Sequence, residues 1–382
     1  MNYTTRVTRV EPSATLAVSS LAAELTADGV DVVDLSVGEP DFETPEHIKV
    51  AGRDAITRGE THYSPSKGIP ELREAIAEDL AAQGMPYGPE NVMVTPGAKQ
   101  ALFEVVHTVV EDGDEVVLLD PAWVSYAAMA EIAGADLTRV DLRETDFQLE
   151  PALDALEAAV SSDTELLIVN SPNNPSGAVY SRAAMEGVRD LAVEYDITVI
   201  ADEIYEQIRY AGEHVSLATL DGMGERTVTV NGFSKAYAMT GWRLGYFAAP
   251  EGLIEQAGKI QSHSVSSAAT FVQHAGLEAL EGPSEPTAEM VEAFEDRRDM
   301  LIEAFAEHGI DVPTPEGAFY MMLPVDDDDE AWCKAALEEA HVATVPGSAF
   351  GAPGYARLSY AADETRLREG VDRLAEAGFL GN

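Results

Sequence analysis

Basic residues are scarce in this chain. Of 382 residues only 24 are lysine or arginine, against 68 aspartate and glutamate, and the formal net charge is −44. The six lysines are Lys49, Lys67, Lys99, Lys235, Lys259 and Lys334. Binding of nucleic acid through its phosphates requires clustered Lys and Arg, and is disfavoured here. The single cysteine, Cys333, rules out an intrachain disulfide and suits a reducing cytoplasm. No apolar run approaches about 18 residues, and Met1-Asn2-Tyr3-Thr4-Thr5-Arg6 leads into polar sequence without a signal-peptide pattern. A soluble, cytoplasmic protein with no membrane partner is expected, and no metal site.

What the chain has in excess is acid, and the acid is dispersed. Residues 326–330 form the only long run, which reads as a solvated loop rather than a docking tail. Self-repulsion of this size destabilises a fold at low ionic strength, whereas a Debye length of roughly 3 Å at 1 M salt screens it. The expected host is a salt-loving cell with molar cytoplasmic salt. With 46% hydrophobic residues, a chain of this length exceeds one typical domain. The expectation is a large domain over residues 46–285 and a smaller one combining 1–45 with 286–382.

Short β-branched runs at residues 92–95, 116–119, 166–169, 198–201, 227–230 and 243–248 alternate with helical patterns such as Leu72, Ile76, Leu80 and the stretch 182–194. That alternation predicts an α/β fold with a mostly parallel sheet and crossover helices. Ligands of such sheets bind outside the carboxyl ends of the strands. Pro96-Gly97-Ala98-Lys99, Asp120-Pro121-Ala122-Trp123, residues 170–174, Asp202 and Ser234-Lys235 each end or follow a strand, so one crevice can collect them.

Within that set, Lys235 follows Asn231-Gly232-Phe233-Ser234, Arg243 lies in Gly241-Trp242-Arg243-Leu244-Gly245-Tyr246, and Asp202 and Tyr205 lie in Ala201-Asp202-Glu203-Ile204-Tyr205. The combination reads as a site for pyridoxal 5'-phosphate (PLP). That cofactor needs a lysine amine to condense with its aldehyde, a carboxylate to keep its ring nitrogen protonated, and a cation for its phosphate. Lys235, Asp202 and Arg243 fit the three roles. Tyr205 is placed to hydrogen-bond the ring 3' oxygen, and the helix opening at Gly97 and Ala98 offers backbone N–H groups to a phosphate. In a chain so poor in lysine, one flanked by Gly, Phe, Ser, Ala and Tyr is not surface decoration.

The stretches Asp34-Leu35-Ser36-Val37-Gly38-Glu39-Pro40-Asp41-Phe42, His62-Tyr63-Ser64-Pro65-Ser66-Lys67-Gly68, Asn170-Ser171-Pro172-Asn173-Asn174-Pro175, Pro315-Glu316-Gly317-Ala318-Phe319-Tyr320 and Arg357-Leu358-Ser359-Tyr360 extend these motifs over essentially the whole chain. In that order they resemble the class I aminotransferase family of fold-type I PLP enzymes, in the subgroup that contains prokaryotic aspartate aminotransferases. The resemblance implies that Arg357 grips the substrate α-carboxylate with its bidentate fork, that Gly38 contacts the same group through its backbone, and that Asn174 bonds the ring 3' oxygen beside Tyr205. It implies that Trp123 stacks on the ring, with Trp123 and Asn174 also bordering the substrate. Tyr63 would reach the cofactor phosphate of a neighbouring subunit, making a homodimer with shared sites.

Many members carry hydroxyl residues where this chain has Gly97 and Gly232, so the phosphate would rest on the amides of Gly97, Ala98 and Lys99, on Ser234 and on Arg243. Lys99 matches a cation for the distal carboxylate of aspartate or glutamate, with Ser13 and Thr15 in the segment lining that pocket; Lys99 could equally serve the cofactor phosphate. The implied reaction is a ping-pong transamination between L-aspartate or L-glutamate and 2-oxoglutarate or oxaloacetate, Lys235 moving the Cα proton. A prephenate or aromatic aminotransferase, or a carbon–sulfur lyase on the same fold, would share these motifs. A PLP-sensing binding module would add a helix-turn-helix and a basic face, both missing.

Overall fold

The computed structural model describes residues 2–12 and 14–380. Its strands are β1 (Val33–Asp34), β2 (Val92–Thr95), β3 (Glu115–Asp120), β4 (Asp136–Asp141), β5 (Thr164–Asn170), β6 (Thr198–Asp202), β7 (Thr227–Gly232), β8 (Gly245–Ala248), β9 (Tyr320–Pro324), β10 (Val342–Ala343), β11 (Val345–Pro346) and β12 (Tyr355–Ser359). Seven of them form one sheet in the order β2-β8-β7-β6-β5-β3-β4. β8 runs antiparallel to both its neighbours, and the remaining pairs are parallel.

The central strands are apolar on both faces because helices cover both, as a parallel sheet requires. Successive residues of β5 point opposite ways. Leu166 and Ile168 pack under the helix Ala98–Val109 with Ala101, Leu102, Val105 and Val106. Leu167 and Val169 pack with Ala184, Met185 and Val188 of the helix Arg182–Tyr195. Ser181 caps that second helix by accepting the Ala184 N–H at 3.1 Å. The helix Pro70–Ala82 buries Leu72, Ile76 and Leu80, the stripe its sequence predicts.

One expectation needs correction, and one strand was not foreseen. The strand predicted over 243–248 begins at Gly245, because Arg243 adopts a left-handed conformation (φ 55°) just before it. β4 carried no hydrophobic signal: it is an edge strand in which only Val140 is buried.

β11, β12 and β9 form a second, antiparallel sheet. It shares a core with the helices Glu285–Glu307 and Glu364–Glu376 through Phe294, Leu301, Phe305, Leu367, Val371 and Leu374. β1 pairs in parallel with β10, Val33 opposite Val342, which ties the first part of the chain to the last. Among the described residues no helix is long and apolar enough to cross a membrane.

The chain passes from β3 outward to β4 and returns to β5 on the other side of β3. Where a sheet reverses its strand order in this way, the loops at the carboxyl ends part and leave a crevice.

Candidate active site

That crevice is a cavity of about 690 Å³. Of the residues predicted from sequence it is lined by Thr15, Gly38, Ala98, Lys99, Trp123, Asn174, Asp202, Tyr205, Ser234, Lys235, Arg243 and Arg357. Gly97 lies directly behind, against Arg243. Ser13 falls outside the described residues. Tyr63 does not join the cavity; it is 94% exposed on the surface, beside Val265.

Asp202 ends β6 and is buried. Its Oδ2 accepts the Tyr126 hydroxyl at 2.6 Å and its Oδ1 accepts the Ile204 N–H at 3.3 Å. Burial pushes its carboxyl up to about 6, against the lowering effect of the Tyr126 bond. A buried carboxylate whose partners are neutral is costly, and a cationic ring N–H at this position would relieve the cost. Asn170 braces the turn: its Nδ2 donates to the Asp202 carbonyl at 2.9 Å and its Oδ1 accepts the Asn174 N–H at 2.8 Å.

Lys235 follows β7 and donates to the Gly38 carbonyl at 2.5 Å. Burial, then the charge of Arg357, lowers its amine to about 8. That brings the neutral, nucleophilic form within reach at physiological pH.

The phosphate end is legible in a glycine. Gly97 has φ 89°, and a Cβ there would stand 2.4 Å from Nη2 of Arg243. Arg243 donates to the Thr240 carbonyl at 2.7 Å and has no ion pair among the described residues. Its guanidinium therefore sits against the start of the helix Ala98–Val109, whose first N–H groups have no acceptor within the helix. A cation and a helix N-terminus together suit a phosphate dianion. The second departure from the hydroxyl pattern also has a packing reason, since a Cβ at Gly232 would approach the Cα of Gly245 to 2.9 Å. The residues present thus fit PLP at the ring nitrogen, the aldehyde and the phosphate.

Arg357, on β12, is 2% exposed. Nη2 donates to the Ser36 carbonyl at 2.7 Å, Nη1 to Asn174 Oδ1 at 3.2 Å, and Nε has no partner. The guanidinium lies 4.6 Å from the Tyr320 ring centroid and 5.0 Å from that of Phe350. No described carboxylate pairs with it, so a buried cation is held with donors to spare. Lys99 likewise pairs with no described carboxylate, although it is far more exposed than Arg357: its Nζ lies 4.6 Å over the Trp123 ring, and partial burial, then Arg243, lowers its pKa. Tyr205 accepts a bond from Asn174 Nδ2 at 3.4 Å and shares one with the Tyr320 hydroxyl at 3.1 Å.

Sequence reasoning gave no role to Tyr126, Asn170, Tyr320 or Ser36. Tyr126 stands three residues after Trp123 on the helix Val124–Ala133, a spacing that could have pointed to a shared face. Ser36 acts through its carbonyl, for which side-chain identity carries no signal.

Fold and cavity together define the class: a PLP-dependent transferase of fold-type I. The aminotransferase class I and II family model matches residues 30–374. An aspartate/prephenate aminotransferase of Thermus thermophilus is 45% identical over 377 residues, covering 97% of this chain and 97% of that one. The aspartate aminotransferase of Bacillus subtilis is 40% identical over 387 residues, covering 98% of each. A solved structure of Thermus thermophilus aspartate aminotransferase with maleate superimposes with a TM-score of 0.95 at 43% identity, over 99% of this chain and 100% of that one. The chain belongs to the class I and II aminotransferase family and is a PLP-dependent transaminase.

Proposed function

We propose that the protein transfers the amino group between L-aspartate or L-glutamate and 2-oxoglutarate or oxaloacetate, one substrate leaving before the next binds. The observation that carries this reading is the pair of cations, Arg357 and Lys99, that line one cavity without carboxylate partners. When bound, PLP supplies an electrophilic carbon and an electron sink. Asp202, Asn174 and Tyr205 would hold its ring, Trp123 would stack on it, and Arg243, Ser234 and the amides at Gly97, Ala98 and Lys99 would hold its phosphate.

In this reading Arg357 takes the α-carboxylate, with the Gly38 backbone beside it. Lys99 takes the distal carboxylate, with Thr15 in the same wall. A dicarboxylate held at both ends has its Cα–H bond fixed in direction, and Lys235 Nζ removes the proton and returns it as general acid. A dicarboxylic 2-oxo acid such as prephenate presents the same two charges, and a relative carries that activity in its name. It is the second reading.

The test is the half-reaction in molar KCl with aspartate, glutamate, phenylalanine and alanine, wild type beside Lys99→Ala. Loss of one charge-assisted contact lowers kcat/KM for the two acids by about 10- to 100-fold, with phenylalanine unchanged. An equal loss for all four substrates would assign Lys99 to the cofactor phosphate and sink the acidic-substrate reading.

The same proposal extends to assembly. The exposure of Tyr63 supports its reaching a neighbouring subunit's phosphate in a homodimer with shared sites. The large domain would span 46–285, with 1–45 and 286–382 forming the smaller one that carries Arg357 and closes over the substrate.

The charge of −44 supports a cytoplasm of molar salt. The melting temperature is expected to rise by on the order of 10 °C between 0.1 M and 2 M KCl as the Debye length shrinks. An equal rise in sucrose at low salt would remove charge screening as the cause.

A further inference from the structure

Beside the turn that presents Asp202 and Tyr205, away from the residues that line the cofactor cavity, three side chains converge with several of their polar atoms left unsatisfied. His214 Nε2 lies 3.2 Å from Oε2 of Glu203 and 3.8 Å from Oε2 of Glu206. The donor atoms of all three residues fall within 4.8 Å of one another. Glu203 is 3% exposed and Glu206 8%. Neither carboxylate pairs with a lysine or arginine among the described residues. Arg209 donates instead to the Glu206 backbone carbonyl at 3.1 Å.

The contact to His214 is not an aligned hydrogen bond, since both ring nitrogens and Glu203 Oε2 are buried without a hydrogen-bond partner. A buried carboxylate oxygen and an imidazole left in this state are costly. Three properties fit a metal better than a proton network. Donors bound to zinc at about 2.0–2.1 Å in tetrahedral geometry stand roughly 3.3 Å apart; the His214–Glu203 separation of 3.2 Å matches, and the other donors, at 3.8 Å and within 4.8 Å, need draw in only modestly. Two carboxylates and a neutral imidazole carry the charge that one divalent ion cancels. The outer contact is also in place, because Glu206 Oε1 accepts the Asn231 amide at 2.9 Å, the kind of bond that fixes a ligating carboxylate. An entry path exists through a separate hollow of about 630 Å³ that Glu206 and His214 line.

We propose that Glu203, Glu206 and His214 form a site for a divalent ion of the zinc class, with its remaining positions open to that hollow. The ligands bracket Tyr205 in the chain, and Glu203 adjoins Asp202. An ion there clamps the end of β6 to the segment carrying His214, and so fixes the turn on which the cofactor's ring contacts are mounted. The site is independent of the amino-acid substrate. The sequence offers no familiar metal spacing at these positions, and none was expected.

The experiment takes holoenzyme, strips it with EDTA, desalts it, and titrates it with Zn²⁺ and, separately, Co²⁺. Metal content after gel filtration, thermal melting and the ligand-field absorption of Co²⁺ are the readouts. One zinc per chain, a raised melting temperature and a four- or five-coordinate Co²⁺ spectrum are expected, all lost in His214→Ala and in Glu206→Gln. The glutamine variant keeps the side chain's shape and its acceptor for Asn231, so it decides the matter should the alanine variant fail to fold. Substoichiometric zinc in wild type, or zinc held equally by wild type and Glu206→Gln, overturns the proposal.

Discussion

Replacing Lys235 with alanine is expected to lower the transamination rate by at least about 10⁴-fold while leaving the fold intact. In the proposed mechanism the amine does two things: it forms the covalent link to the cofactor and carries the Cα proton, the second alone worth about 10²- to 10⁴-fold. Single-turnover absorbance with aspartate is the measurement, and a residual rate within about 100-fold of wild type would mean that another base moves the proton.

The pH dependence has a definite sign. The folded pKa of Lys235, about 8, lies below the usual lysine value. The protonated amine therefore opposes folding below about pH 8, and the penalty fades as pH rises from there toward the unfolded value. At pH 7 the alanine apoenzyme should melt no lower than wild type. Capture of PLP by wild-type apoenzyme should accelerate as pH rises through about 8, because only the neutral amine attacks, and the variant should show no such step.

Much of this site is legible in the sequence because its residues sit where strands end. The β-branched runs locate β2, β3, β5, β6 and β7, and the polar residues that follow them meet in the crevice because parallel strands deliver their carboxyl ends to one edge. Arg357 comes from the other sheet, and only its resemblance to a family motif placed it. β4 escaped notice because an edge strand needs no hydrophobic signature. Tyr126 escaped because its work is done by a hydroxyl reaching from the helix Val124–Ala133 to Asp202, 76 residues away in sequence.

The extreme charge acquires a local meaning in the cavity. A chain with 24 basic residues commits Lys99, Lys235, Arg243 and Arg357 to it. Of the carboxylates lining the same cavity, Asp202 is occupied by Tyr126, and Glu39 accepts the Thr240 hydroxyl at 2.7 Å. An acidic substrate is repelled by the surface at long range, but molar salt reduces that repulsion to a few ångströms. Arg357, the buried member of the set, is screened far less and keeps its attraction. High salt should therefore assist binding of a dicarboxylate here.

Arg357→Lys is the substitution that separates the two ends of the substrate. Lysine keeps the charge but not the planar fork, and it reaches neither the Ser36 carbonyl nor Asn174 Oδ1 with the geometry of the two guanidinium bonds. Losing a bidentate contact in a buried site, with polar groups left unpaired, costs about 2–5 kcal/mol. By the usual conversion kcat/KM should fall about 30- to 5,000-fold. Because every amino acid carries an α-carboxylate, the loss should be nearly the same for aspartate, glutamate and phenylalanine. Lys99→Ala is expected to spare phenylalanine, so the two variants give opposite selectivity patterns from one assay. If Arg357→Lys impaired only the acidic substrates, Arg357 would be the distal-carboxylate residue and the assigned orientation of the substrate would be reversed.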